Sequence, residues 1–139
     1  MSYITDHDQP GTRKSFLSVG SVAAKANGVV GVAFVTPFKC VIDAVYYRPL
    51  STWAAADHTN YCNLVLSNLG VNGTATPAML GTICGSSGTP GNLGSANVLY
   101  AGGTTQYAAN TVFVGTVGTI GAGSVAVPHG VIETHFKGC

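Results

Sequence analysis

This chain of 139 residues has little charge: 8% of its residues are Asp, Glu, Lys or Arg, against about a quarter in an ordinary soluble domain. The six basic residues are scattered, so the sequence has no basic stripe of the kind that binds nucleic acid. Low surface charge favours association between proteins. The composition therefore predicts that much of the surface lies against other copies of the chain or against another protein.

Long apolar runs are also missing. No run of about 18 uninterrupted apolar residues occurs, which is the length a membrane helix requires. The first residues, MSYITDHDQP, carry acidic side chains where a signal peptide would have a positive region followed by an apolar one. We therefore expect no membrane segment, and synthesis in the cytosol without an export signal.

Motifs for catalysis or metal binding are absent as well. The four cysteines form no CxxC pair and no Cys-His cluster of zinc-finger spacing, so no zinc site is expected. Neither a GxSxG elbow nor a catalytic cysteine signature accompanies the four histidines, and Asp57-His58 is interpreted as a solvated turn. The sequence predicts a protein that is not an enzyme and that needs no cofactor.

What the chain does contain is a series of short apolar runs. Between Gly28 and Leu66 three runs rich in Val, Ile, Phe and Tyr are broken at Pro37 and Pro49, a pattern typical of β-strands. Later segments carry a glycine every few residues, which disfavours helix because each interior glycine costs about 1 kcal/mol relative to alanine. Simple alternation in the middle run places Cys40, Ile42, Ala44 and Tyr46 on one face and Val41, Asp43, Val45 and Tyr47 on the other.

These patterns predict an all-β protein, an antiparallel β-sandwich of jelly-roll type with seven or eight strands. Residues 29–139 would form the sandwich. Residues 1–28 would form an extended N-terminal arm with a weak edge strand near its end, since residues 1–15 have almost no apolar content after Ile4.

Two groups of residues are candidates for contacts between chains. The aromatic residues Trp53, Tyr46, Tyr47 and Tyr61 bracket the loop from Leu50 to Tyr61 and form a hypothetical interface, although Trp53 could equally cover the core. Cys139 ends the chain, and an exposed terminal thiol could either form an intermolecular disulfide or stay unpaired. Cys40 and Cys62 are interpreted as small buried hydrophobes or as a bridge between facing strands.

The sequence from Gly31 to Gly73 resembles the small β-sandwich decoration, or cement, proteins of tailed bacteriophages. The resemblance rests on a strand ending near a proline, an alanine- and aspartate-rich loop ending in TNY, a strand of the form L-x-L-x-N-x-G and a closing strand near a P-x-G turn. In this chain these are Cys40 to Pro49, Trp53 to Tyr61, Leu64 to Gly70, and Pro128 to Phe136. The chain departs from the family pattern in having four cysteines.

The resemblance implies a structural virion protein that binds the capsid exterior and stabilises it. Its partner would be the major capsid protein, and it would form a homo-oligomer, either a trimer or a dimer, without binding nucleic acid or membrane. One alternative is another phage structural component, from the tail, neck or head fibre. The other is a carbohydrate-binding module, for which Tyr46, Tyr47, Trp53 and Tyr61 are the candidate aromatic residues.

Overall fold

The structure, a computed structural model, describes residues 13–20, 28–51, 61–84, 97–120 and 127–139. Within these ranges the chain forms nine strands and no helix, which confirms the prediction of an all-β protein. The strands are β1 (Arg13–Val19), β2 (Gly28–Val35), β3 (Cys40–Pro49), β4 (Tyr61–Val71), β5 (Ala78–Cys84), β6 (Asn97–Ala101), β7 (Gln106–Tyr107), β8 (Thr111–Ile120) and β9 (Gly130–Gly138).

The strands form two antiparallel sheets that pack against each other, as a β-sandwich requires. The first sheet has the order β1-β9-β3-β6, with β7 also paired to β3, and the second has the order β2-β8-β4-β5. The edge strand expected near the N-terminus is β1, which pairs with β9 from Arg13 opposite Phe136 to Val19 opposite Gly130. It therefore belongs to the sandwich, whereas residues 1–12 of the predicted arm lie outside the described residues.

The core lies between the inner faces of the two sheets. Phe34 of the second sheet packs on Phe136 of the first with ring centroids 4.8 Å apart, and on Phe113 at 6.3 Å. In β4, Leu64 and Leu66 are buried while Asn63 and Val65 are partly exposed, as the alternation predicts. The largest fully buried hydrophobic side chains are Tyr47, Phe113, Ile42, Leu64, Leu66, Leu99, Ile132 and Val45.

The alternation predicted for β3 is wrong beyond Ile42, because the strand contains a bulge at Asp43. Ile42 lies opposite Phe136 of β9, and Ala44 lies opposite His135, the residue before Phe136, so Asp43 is the extra residue of β3 in this pairing. An extra residue reverses which later side chains face the core. Val45 consequently faces inward together with Ile42, and Tyr46 faces outward. The carbonyl of Asp43 at the bulge accepts a hydrogen bond from the Gly102 N–H at 2.8 Å.

A buried threonine fixes the start of β8 against the end of β2. The Thr36 hydroxyl donates to the carbonyl of Ala108 at 2.7 Å and accepts a hydrogen bond from the Thr111 N–H at 2.8 Å. Thr36 is completely buried, so these bonds satisfy a hydroxyl that water does not reach. Thr134 in β9 is also buried, but its hydroxyl has no hydrogen-bond partner among the residues described.

Candidate functional site

The outer face of the first sheet carries a compact charge cluster around Glu133, the only glutamate of the chain. The Glu133 carboxylate accepts from Arg48 Nε at 2.5 Å through one oxygen and contacts His135 Nε2 at 2.6 Å through the other. Lys14 Nζ lies 3.7 Å from the same oxygen as His135. These side chains meet because β1, β9 and β3 are neighbours in the sheet, which places Lys14 and Arg48 on either side of β9.

The cluster keeps the Glu133 carboxylate ionised. The hydrogen bond from Arg48 is the largest cause, followed by that from His135, and together they outweigh desolvation and lower the pKa of Glu133 from 4.5 to about 2. The side chain is only 4% exposed because its neighbours cover it. A group with so low a pKa does not serve as a general acid or base near neutral pH, since it does not exchange its proton there. The geometry therefore indicates a structural role for this carboxylate.

Aromatic and apolar side chains flank the Glu133 cluster. Residues Phe16, Glu133, Tyr46 and Val98 lie in register across β1, β9, β3 and β6. Phe16 and Val98 are 62% and 55% exposed, and the Tyr46 ring packs edge-on against His135 with centroids 5.1 Å apart. The face thus combines a neutralised acid with exposed basic and apolar groups. Strand register cannot be read from the sequence, so the local signal for this cluster is Glu133 and His135, two residues apart on one side of a strand.

The second sheet has the opposite character: none of the residues in β2, β8, β4 and β5 is Asp, Glu, Lys, Arg or His. We call it the uncharged sheet. Its outer face exposes Val32, Val35 and Met79 at 49%, 43% and 67%. By contrast, all Asp, Glu, Lys and Arg residues in the described part of the chain lie in β1, β3 and β9, except Lys39 immediately before β3. The two outer faces of the sandwich are therefore suited to different neighbours.

Of the four aromatic residues expected at an interface, Tyr46 is the one whose side chain is described on an outer face, where it is partly exposed. Tyr47 is fully buried in the core, where its hydroxyl donates to the carbonyl of Pro128, so the expectation that it lies at a contact surface is wrong for this chain. The reason is the bulge at Asp43, which turns Tyr47 inward and Tyr46 outward. Trp53 lies outside the described residues, and of Tyr61 only the backbone, at the start of β4, is described.

The two cysteines whose side chains are described differ in burial. Cys40 is a free thiol in the core, as one of its two interpretations predicted, and burial together with nearby Cys139 raises its pKa to about 11. Such a thiol is unreactive because little thiolate is present at neutral pH. Cys139 is a free and exposed thiol, and its N–H donates to the Lys39 carbonyl at 3.2 Å, so the backbone pairing of β9 with the segment at the start of β3 continues to the last residue. The side chains of Cys62 and Cys84 are not among those described.

Two other kinds of feature, a metal site and a membrane-spanning helix, are absent from the described ranges. No group of three or more His, Cys, Asp or Glu side chains there could hold a metal ion. No helix of the described chain is long and apolar enough to cross a membrane. Comparison of the chain with models of protein families, with curated proteins and with solved structures found no match.

Proposed function

We propose that this chain is a structural virion protein that binds the exterior of a phage capsid and stabilises it, without catalysing a reaction. The observation that carries the proposal is the separation of charge between the two sheets. A sheet with no charged side chain and exposed Val32, Val35 and Met79 is a poor surface for a protein that works alone in water. It suits a protein that works inside an assembly.

The order of strands supports a jelly-roll architecture for the sandwich. Successive strands cross from one sheet to the other, apart from the connections β4 to β5 and β6 to β7. The resulting orders, β1-β9-β3-β6 and β2-β8-β4-β5, are those expected of the two Greek keys of a jelly roll and so support this architecture, which is used by viral capsid proteins and by lectins. Because one fold hosts several functions, the order of strands narrows the class of protein without deciding between these two.

The resemblance of Gly31 to Gly73 to phage decoration proteins favours the capsid over the lectin. In this proposal the partner is the major capsid protein, and the attachment uses the N-terminal residues and the loop from Leu50 to Tyr61. Leu50 is 47% exposed at the start of that loop. The internal neutralisation of Glu133 supports a role without catalysis, since the carboxylate stabilises the sheet and is covered by its own neighbours.

The test is cosedimentation of the purified chain with empty capsids assembled from the major capsid protein encoded in the same genome. We expect saturable binding at a fixed ratio to the capsid protein, and particles that resist heat or low ionic strength better than undecorated ones. A variant lacking residues 1–12 keeps every described strand and should bind more weakly while remaining folded. Absence of wild-type binding to such capsids would refute the proposal.

A carbohydrate-binding module is the second candidate, because jelly rolls also occur in lectins and because Tyr46 and Phe16 lie beside a carboxylate on one face. A glycan array with the same preparation separates the two functions. Selective glycan binding that is lost in Tyr46→Ala, without capsid binding, would favour this candidate over the virion protein.

A further inference from the structure

The outer face of the uncharged sheet contains a row of uncharged side chains that spans all four strands. Val32 pairs with Val114, Val114 with Ser67, and Ser67 with Met79. Val32 and Met79 at the ends of the row are exposed, whereas Val114 and Ser67 between them are each only 6% exposed. The row therefore has a buried centre and two exposed apolar ends.

We propose that the uncharged sheet is the contact between two copies of this chain, packed face to face about a two-fold axis. This inference rests on the proposed function, which treats the uncharged sheet as a surface for association, and it adds that a second copy of the chain binds there. In a two-fold contact each patch meets the same patch of the partner, so any net charge on it would face like charge. The uncharged sheet has no charged side chain and avoids that repulsion.

The first sheet is unsuited to the same contact. Its outer face carries Lys14, Arg48 and Lys137 against Asp43 and Glu133, which leaves one positive charge unbalanced. Two such faces brought together would place that charge opposite the same charge of the partner. The distribution of charge therefore assigns the second copy to the uncharged sheet and leaves the first sheet for other neighbours.

The size of the uncharged sheet corresponds to the low end of specific interfaces. Four strands about 4.8 Å apart and roughly 25–35 Å long give a face of roughly 500–650 Å². The smaller stable interfaces bury about 600 Å² per partner. Two sheets packed face to face about 10 Å apart would bury the protruding Val32 and Met79 of both copies.

The test is sedimentation velocity of the full chain over a wide concentration range, comparing the wild type with Val32→Glu and Val98→Glu. The two variants make the same substitution at valines of similar exposure, 49% and 55%, but on opposite sheets. We expect a wild-type dimer, at least a tenfold weaker dimer for Val32→Glu, and an unchanged dimer for Val98→Glu. Met79→Lys at the other end of the row should act like Val32→Glu, which provides a second variant if Val32→Glu does not fold.

A wild-type monomer throughout, or an oligomer equally sensitive to Val32→Glu and Val98→Glu, would overturn the inference. A trimer that is insensitive to Val32→Glu and to Met79→Lys would do the same. The capsid assay separates this failure from failure of the proposed function. A monomer that decorates capsids contradicts only the dimer, and a dimer that ignores capsids contradicts only the virion role.

Discussion

Replacing Glu133 with glutamine removes the charge that holds Arg48, His135 and Lys14 together on the first sheet. The fully ionised carboxylate is stabilised in the folded chain because its pKa falls from 4.5 to about 2. At full strength a shift of that size corresponds to about 3 kcal/mol. The cluster lies on an outer face close to solvent, and the Arg48 side chain is 37% exposed. Screening by water therefore reduces the expected loss in the free energy of unfolding to about 1–2 kcal/mol.

The contribution of Glu133 to the free energy of unfolding must decrease as the pH falls. Since the pKa of Glu133 is lower in the folded chain than in the unfolded one, its contribution is fully present above about pH 4.5 and is lost as the pH falls toward 2. Urea unfolding of wild type and Glu133→Gln, followed by circular dichroism, measures this contribution as a difference between the two curves. The difference should be about 1–2 kcal/mol at pH 7 and should shrink steadily below pH 4.5.

The control is Lys14→Met, which removes the most distant and most exposed partner, 3.7 Å away and 55% exposed. Its free energy of unfolding should change by no more than about 0.5 kcal/mol. A Glu133→Gln difference that is zero at pH 7, or that stays constant down to pH 2, would show that the Glu133 charge does not stabilise the folded chain.

Three further predictions concern single substitutions. Thr36→Val should lower the free energy of unfolding by about 2 kcal/mol, because it removes a hydroxyl that is hydrogen-bonded to buried backbone groups. Thr134→Val removes a buried hydroxyl that has no hydrogen-bond partner, so this variant should be neutral or stabilising. Urea unfolding measures both changes. Gly102→Ala should lower the free energy of unfolding by about 2–3 kcal/mol in the same assay, because the added Cβ would lie 2.0 Å from a backbone carbonyl oxygen of β3. The control is Gly103→Ala, whose Cβ would meet open space and should change the free energy of unfolding by less than about 0.5 kcal/mol. If Cys139 links chains in released particles, a non-reducing gel should show a band above the monomer that reductant and Cys139→Ser abolish, and a monomer band in every lane would contradict the linkage.

The fold class was predictable because it depends on local patterns. Alternation such as that of Leu64 and Leu66, with turn residues between apolar runs, is visible without any knowledge of pairing. The face of Tyr46 and Tyr47 was not predictable, because it depends on a bulge that only the register of β3 against β9 reveals. One inserted residue exchanged the surface tyrosine with the core tyrosine.

The two outer faces were predictable in part. Low total charge is a property of composition, and it predicts a surface with fewer charged groups than that of an ordinary soluble domain. Its separation between sheets depends on the order in which distant strands pair, as does the meeting of Lys14, Glu133 and Arg48 from three strands. Sequence patterns do not encode such long-range order directly, so both the charge cluster and the uncharged sheet required the structure.

The most direct test of the virion role is a density map of capsids incubated with this chain and washed free of unbound protein. We expect regular additional density on the outside of the shell, large enough for the sandwich and absent from capsids that were not incubated with the protein. A shell surface identical with and without the protein would show that this chain does not decorate the capsid.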